Sequence, residues 1–155
     1  MRVIGGLKVS HPRLTFAPWF LHNRFTEATL GIAFDSSTAF KLPNGAERSP
    51  DASWIRRERW DNLNTEQRRK FPPLCPDFVV ELRSETDSLK TLQDKMQEYL
   101  DNGAKLGWLI DPKTQQVGIY RLGRELEVLQ SPEILSGEDV LPGFGLTLKS
   151  IFSST

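Results

Sequence analysis

The chain has 155 residues, 38% of them hydrophobic and 26% charged, with 20 Lys+Arg against 20 Asp+Glu. This is the size and balance of one ordinary globular domain, and it excludes the uniform strong field that would by itself announce a nucleic-acid or membrane-surface partner. One cysteine, Cys75, excludes an intramolecular disulfide and a cysteine-rich zinc site, and no apolar run approaches the roughly 18 residues of a membrane helix, so the expectation is a cytoplasmic protein with no membrane partner.

Residues 1–26 contain no acidic residue and one serine, and Gly5, Gly6, Pro12 and Pro18 interrupt them. They fit neither a secretory signal nor a transit peptide. They are read as an atypical N-terminal segment, with a folded domain over 27–155. Residues 29–42, TLGIAFDSSTAFKL, read as a hairpin: apolar Leu30, Ile32 and Phe34, a polar turn at Asp35-Ser36-Ser37, then a return through Phe40. A second turn is expected at Pro43-Asn44-Gly45, where Asn-Gly suits positive φ.

A short strand starting after Pro50 runs to Ile55. Residues 56–76 are polar and proline-bounded and read as a surface insertion, with a short helix capped by Thr65. The next strand is 78–83, FVVELR. From Asp87 the period changes, with Leu89, Leu92, Met96, Tyr99 and Leu100 at helical spacing, Thr86 or Asp87 as N-cap, and Asn102-Gly103 as the stop. A strand at 106–110 follows, then a hairpin over 116–122 and 125–129, a loop at 140–144 and a short amphipathic tail to Phe152. Strand, helix, strand with short links makes a βαβ unit with parallel strands. The fold class is therefore α/β, a mixed sheet with antiparallel strands first, one crossover helix and a closing hairpin.

The chemistry is concentrated around an odd residue, Glu81. Alternation puts Phe78, Val80 and Leu82 on a core face and Val79, Glu81 and Arg83 on the other, non-core face. A carboxylate within such a strand is costly unless it is paired. If the strand after Pro50 is the neighbour, Asp51 meets Glu81, and two converging carboxylates call for a proton or a cation between them. With oxygen ligands only, Mg²⁺ or Mn²⁺ is favoured over zinc. Lys95, at the border of the apolar helix stripe, is the cation best placed to orient a water. Arg83 cannot act as a base and is read as a phosphate clamp or a partner of Glu81.

Structural readings stand beside these. Glu81 could pair with Arg83 or a neighbouring strand, Asp51 could be a turn residue after proline, and Lys95 could be a solvated helix charge. Asp77 reads as a turn or supporting residue. Arg56, Arg57, Arg59, Arg68, Arg69 and Lys70 form a basic cluster that counts towards DNA only if it lies on the Asp51 side. His11 and His22 have no partner pattern.

The runs SPDASW, PDFVVELRS, LQDKMQEYLDNGAKLGWLIDP, VGIYR and LPGFGLTL resemble the Uma-two family of restriction-endonuclease-like proteins, of cyanobacterial type, within the PD-(D/E)xK nuclease superfamily. The resemblance covers about residues 29–152. It implies a metal-dependent phosphodiesterase core in which Asp51 and Glu81, with the backbone carbonyl of Leu82, hold the metal. Lys95 would be the lysine, displaced onto the helix, and Arg83 occupies the place where that lysine usually stands. The functional expectation is a Mg²⁺-dependent endonuclease acting on DNA, with a homodimer suiting double-strand cleavage. The alternative is an N-terminally truncated, inactive remnant that binds nucleic acid or protein, since residues 1–26 lack the helix–strand–helix lead-in that family members usually carry.

Overall fold

The computed structural model describes residues 30–153. The expected segment 1–26, its boundary at 26/27, and both histidines lie outside them. A six-stranded sheet runs in the order β1-β4-β5-β6-β7-β8, formed by β1 (Gly31–Asp35), β4 (Ala52–Arg56), β5 (Phe78–Leu82), β6 (Leu106–Asp111), β7 (Gln116–Arg121) and β8 (Glu127–Gln130). Only β5 and β6 are parallel, with Phe78 opposite Leu106 and Leu82 opposite Ile110. The connection between them is α3 (Leu89–Asp101), the crossover expected from the change of period. Two short helices, α1 (Arg57–Asp61) and α2 (Thr65–Arg69), sit between β4 and β5.

The expected hairpin over 29–42 does not form. Strand β1 pairs with β4, from Gly31 opposite Arg56 to Asp35 opposite Ala52. A tight hairpin needs positive φ at its turn, and Asp-Ser-Ser is poorly suited to supply it. Asp35 instead folds the chain away from the sheet, its Oδ1 accepting the N–H of Ser37 at 2.8 Å. The chain then makes a small ribbon of β2 (Phe40–Lys41) and β3 (Glu47–Arg48). Here the Asn44-Gly45 turn forms as its residues require, with Gly45 at φ 89°.

Both faces of the sheet are buried, which corrects the assignment of Glu81 to a non-core face. Phe78, Val80 and Leu82 face one cluster with Trp108, Ile110, Leu146, Leu148 and Ile151. That cluster is closed by the ribbon of β9 (Ile134–Ser136) and β10 (Gly145–Thr147) and by α4 (Lys149–Ser153). Val79 joins the opposite cluster with Leu92, Met96, Tyr99 and Leu100 of α3. The helix can seat closely because position 107 is glycine: a Cβ there would stand 2.6 Å from Met96 Cε and 3.1 Å from Val79 Cγ2. A strand covered on both sides must be apolar at nearly every position. Glu81 is the exception in β5.

Candidate active site

The ladder between β4 and β5 ends at Ala52 opposite Val80, leaving the N–H of Leu82 with no strand partner on that side. The residue just before β4 supplies one: Asp51 Oδ2 accepts Leu82 N–H at 2.7 Å. Glu81, the preceding residue on β5, is only 4% exposed and lies under α3. Its Oε2 accepts the Tyr99 hydroxyl at 2.8 Å, and its Oε1 lies 3.8 Å from Lys95 Nζ. Lys95 and Tyr99 are four residues apart on α3, hence on one helix face. The structure therefore brings together Asp51, Glu81, Lys95 and the backbone of Leu82.

Electrostatics bind the group as one. Burial raises the Asp51 carboxyl to about 6, against the Leu82 hydrogen bond and the Lys95 charge that lower it. Burial, then the Asp51 charge, push Glu81 up to about 8, with Lys95 and the Tyr99 hydrogen bond pulling the other way. Asp87 raises both carboxyls further. The sequence points to Thr86 or Asp87 as the helix cap, but Ser88 takes that role, accepting the N–H of Thr91. The Asp87 side chain accepts Ser84 N–H at 2.9 Å in the turn above the site. Tyr99 was likewise missed as a site residue because it reads as one more member of the apolar stripe. Its spacing of four from Lys95, opposite the strand carrying Glu81, was the available signal.

Arg83 does not pair with Glu81. Its Nη1 meets Asp111 Oδ2 at 2.9 Å, and its Nε donates to the Asp87 carbonyl at 3.3 Å. It thus stands at the carboxyl ends of the two parallel strands, where open α/β sheets place their ligand crevices. Asp77 sits at the opposite end of β5, buried, where Oδ2 accepts Arg56 N–H at 2.8 Å and lies 3.0 Å from Arg59 Nη1. Lys105 Nζ is 3.5 Å from its other oxygen.

Part of the basic cluster, Arg56 and Arg59, belongs to that far end as well. Arg56 ends β4 and Arg57 follows it, at the end away from Asp51, and Arg56 pairs with Glu58 at 3.1 Å. Arg68 lies over the Trp60 ring, 5.3 Å from its centroid, and Lys70 is 3.7 Å from Glu66. The side chains of Arg56, Arg59, Arg68 and Lys70 pair within residues 56–77, and none of these pairings is with Asp51 or Glu81.

Among the described residues, no three His, Cys, Asp or Glu side chains converge as a ligand cluster. The acids are a pair. Their chemistry nevertheless fits a hard divalent cation, because all the donors at hand are oxygens, burial raises both carboxyls, and the Asp51 charge raises Glu81 further. Cys75 is no competitor: its thiol is buried, donates to the Tyr99 carbonyl at 3.5 Å, and is pushed up to about 12 by burial.

A mixed sheet with one crossover helix, two acids at the strand ends and a lysine above them define a nuclease-like fold. The family described as "Putative restriction endonuclease", Uma2, matches residues 11–149, and the chain belongs to that family. A crystal structure described as "a putative nuclease belonging to DUF820 from Anabaena variabilis" superposes with a TM-score of 0.73 at 22% identity, over 99% of this chain and 85% of that one. At that identity the likeness establishes the fold. A cryo-electron-microscopy structure of a DrdV–DNA complex aligns with a TM-score of only 0.40 at 16% identity, over 74% of this chain and 9% of that one. No curated protein matches the chain significantly. Among the described residues no helix is long and apolar enough to cross a membrane.

Proposed function

We propose that this chain is a Mg²⁺- or Mn²⁺-dependent endonuclease of the PD-(D/E)xK kind that hydrolyses DNA phosphodiesters in the cytoplasm, with residues 27–155 as its nuclease domain. The observation that supports this best is the convergence of Asp51, Glu81 and Lys95 at the carboxyl ends of β5 and β6. Asp51 and Glu81, with the backbone carbonyl of Leu82, would hold the ion. Once bound, a divalent ion supplies Lewis-acid stabilisation to the phosphate and a readier water nucleophile. Lys95, 31% exposed at its side chain, reaches from the covered Glu81 towards solvent and would orient the attacking water with its ammonium protons. Arg83, braced by Asp111, offers a fixed planar cation for a phosphate oxygen. Cleavage of both strands would call for two such sites, hence a homodimer.

The Asp51–Leu82 hydrogen bond favours a second reading, since capping a strand end is also what a purely structural aspartate does. On that reading the chain is an inactive binding module. Calorimetry with Mn²⁺ separates the two: the native chain gives a binding isotherm that Glu81→Ala loses, whereas identical flat responses from both proteins would sink the nuclease reading.

A further inference from the structure

Tyr99 has more structure around it than a core aromatic needs. It is 0% exposed, and its carbonyl accepts from Ala104 N–H at 2.9 Å and from the Cys75 thiol at 3.5 Å. Those contacts fix the residue at the end of α3. Its ring fills the cluster with Val79, Met96 and Leu109, a job phenylalanine would do equally well. The hydroxyl is what remains to be explained, and it donates to Glu81 Oε2 at 2.8 Å. A phenol has one proton to donate. One turn earlier on the same face, Lys95 stands over the other oxygen, Oε1, at 3.8 Å. The two oxygens of Glu81 are thereby made unequal.

We propose that Tyr99 is a positioning residue that holds Glu81 Oε2 and leaves Oε1, which Lys95 approaches without a hydrogen bond, as the oxygen that takes a cation, so that the site prefers Mg²⁺ or Mn²⁺ over Ca²⁺. The inference rests on the reading of Asp51 and Glu81 as metal ligands. Ca²⁺ takes six to eight oxygens at longer range and readily accepts both oxygens of one carboxylate, whereas Mg²⁺ demands a small octahedron. A carboxylate with one oxygen committed to a buried phenol serves the second geometry. Partners that orient a ligand from behind typically matter by about 10–100-fold in metal affinity.

The test is calorimetry of the full chain with Mn²⁺ and, separately, Ca²⁺, on the native protein, Tyr99→Phe and Glu81→Gln. The native chain binds Mn²⁺ in preference to Ca²⁺; Tyr99→Phe loses about 10-fold for Mn²⁺ but not for Ca²⁺; Glu81→Gln loses both. An unchanged Mn²⁺-to-Ca²⁺ ratio in Tyr99→Phe, or equal losses for both ions, overturns the positioning role while leaving the metal site standing. A native chain that binds no Mn²⁺ overturns the metal reading and this inference with it. Should Tyr99→Phe fail to fold, the native protein still decides through its Mg²⁺-minus-apo infrared difference spectrum. The carboxylate bands that Glu81→Gln removes show the wide splitting of one-oxygen ligation, and the narrow splitting of two-oxygen ligation overturns the proposal.

Discussion

Asp51 accepts the backbone N–H of Leu82 at 2.7 Å, one residue past the buried Glu81. The same carboxylate therefore finishes the edge of β5 and sets a negative charge beside a second one. The two roles separate by substitution. Asp51→Asn keeps an oxygen for Leu82 and removes a charge that burial disfavours, so stability at neutral pH should rise while Glu81 titrates closer to its ordinary value. Asp51→Ala leaves the N–H to water and costs about 1–2 kcal/mol. Chemical denaturation measures the first effect and carboxyl titration by NMR the second.

Glu81 makes stability depend on pH with a definite sign. Its folded value, about 8, lies above its ordinary 4.5, so the folded protein holds a proton that the unfolded chain releases within that window. The stabilisation is complete below about 4.5 and is lost as pH rises through about 8, a loss on the order of 3–5 kcal/mol as an upper bound. Asp51 adds to the same trend at lower pH. Urea denaturation at pH 6 and pH 8.5 should show the fall in the native protein and a much flatter profile in Glu81→Gln. Saturating Mg²⁺ should restore stability at the higher pH.

Lys95 is partly exposed and 3.8 Å from Glu81, so its contribution to folding is small and its contribution to chemistry is specific. Lys95→Met should change stability by less than about 1 kcal/mol. It should also push Glu81 further up and slow DNA cleavage by about 10²–10⁴-fold. Cleavage rates under single-turnover conditions, with melting curves alongside, check both.

Asp77 is the control. It is buried at the far end of β5 and joins Arg56, Arg59 and Lys105. Asp77→Ala should cost about 2–4 kcal/mol, because it strands a backbone N–H and the cations packed around it. The remaining folded fraction should cleave DNA at the native rate per molecule, measured at low temperature where it stays folded.

The crossover unit was legible because Leu92, Met96, Tyr99 and Leu100 repeat at helical spacing and all four are buried. The start of that helix was not, because several capping residues lie together at 84–88 and compete for adjacent turns. The actual caps follow from which N–H each one reaches: Ser88 takes Thr91 and Asp87 takes Ser84. Likewise α2 is capped by Asn64, whose Oδ1 accepts Gln67 N–H while Gln67 Oε1 accepts Asn64 N–H, and not by Thr65. Helix α1 escaped notice because its one buried residue, Trp60, earns its place by packing on Phe34, with ring centroids 5.2 Å apart. No local period encodes such a contact. The partner of β1 was missed for the same reason, since pairing with β4 spans a long loop. Glu81 announced itself as a charge in a strand, whereas its phenol partner was hidden by looking apolar.

The most direct test of the nuclease reading is the nicking of supercoiled plasmid DNA with Mg²⁺ or Mn²⁺, comparing the native chain with Asp51→Ala prepared identically. The native protein should convert the plasmid to the open-circular form only when the metal is present, and Asp51→Ala should leave it supercoiled. Nicking that survives in Asp51→Ala, or that proceeds undiminished in excess chelator, would contradict the assignment of the site.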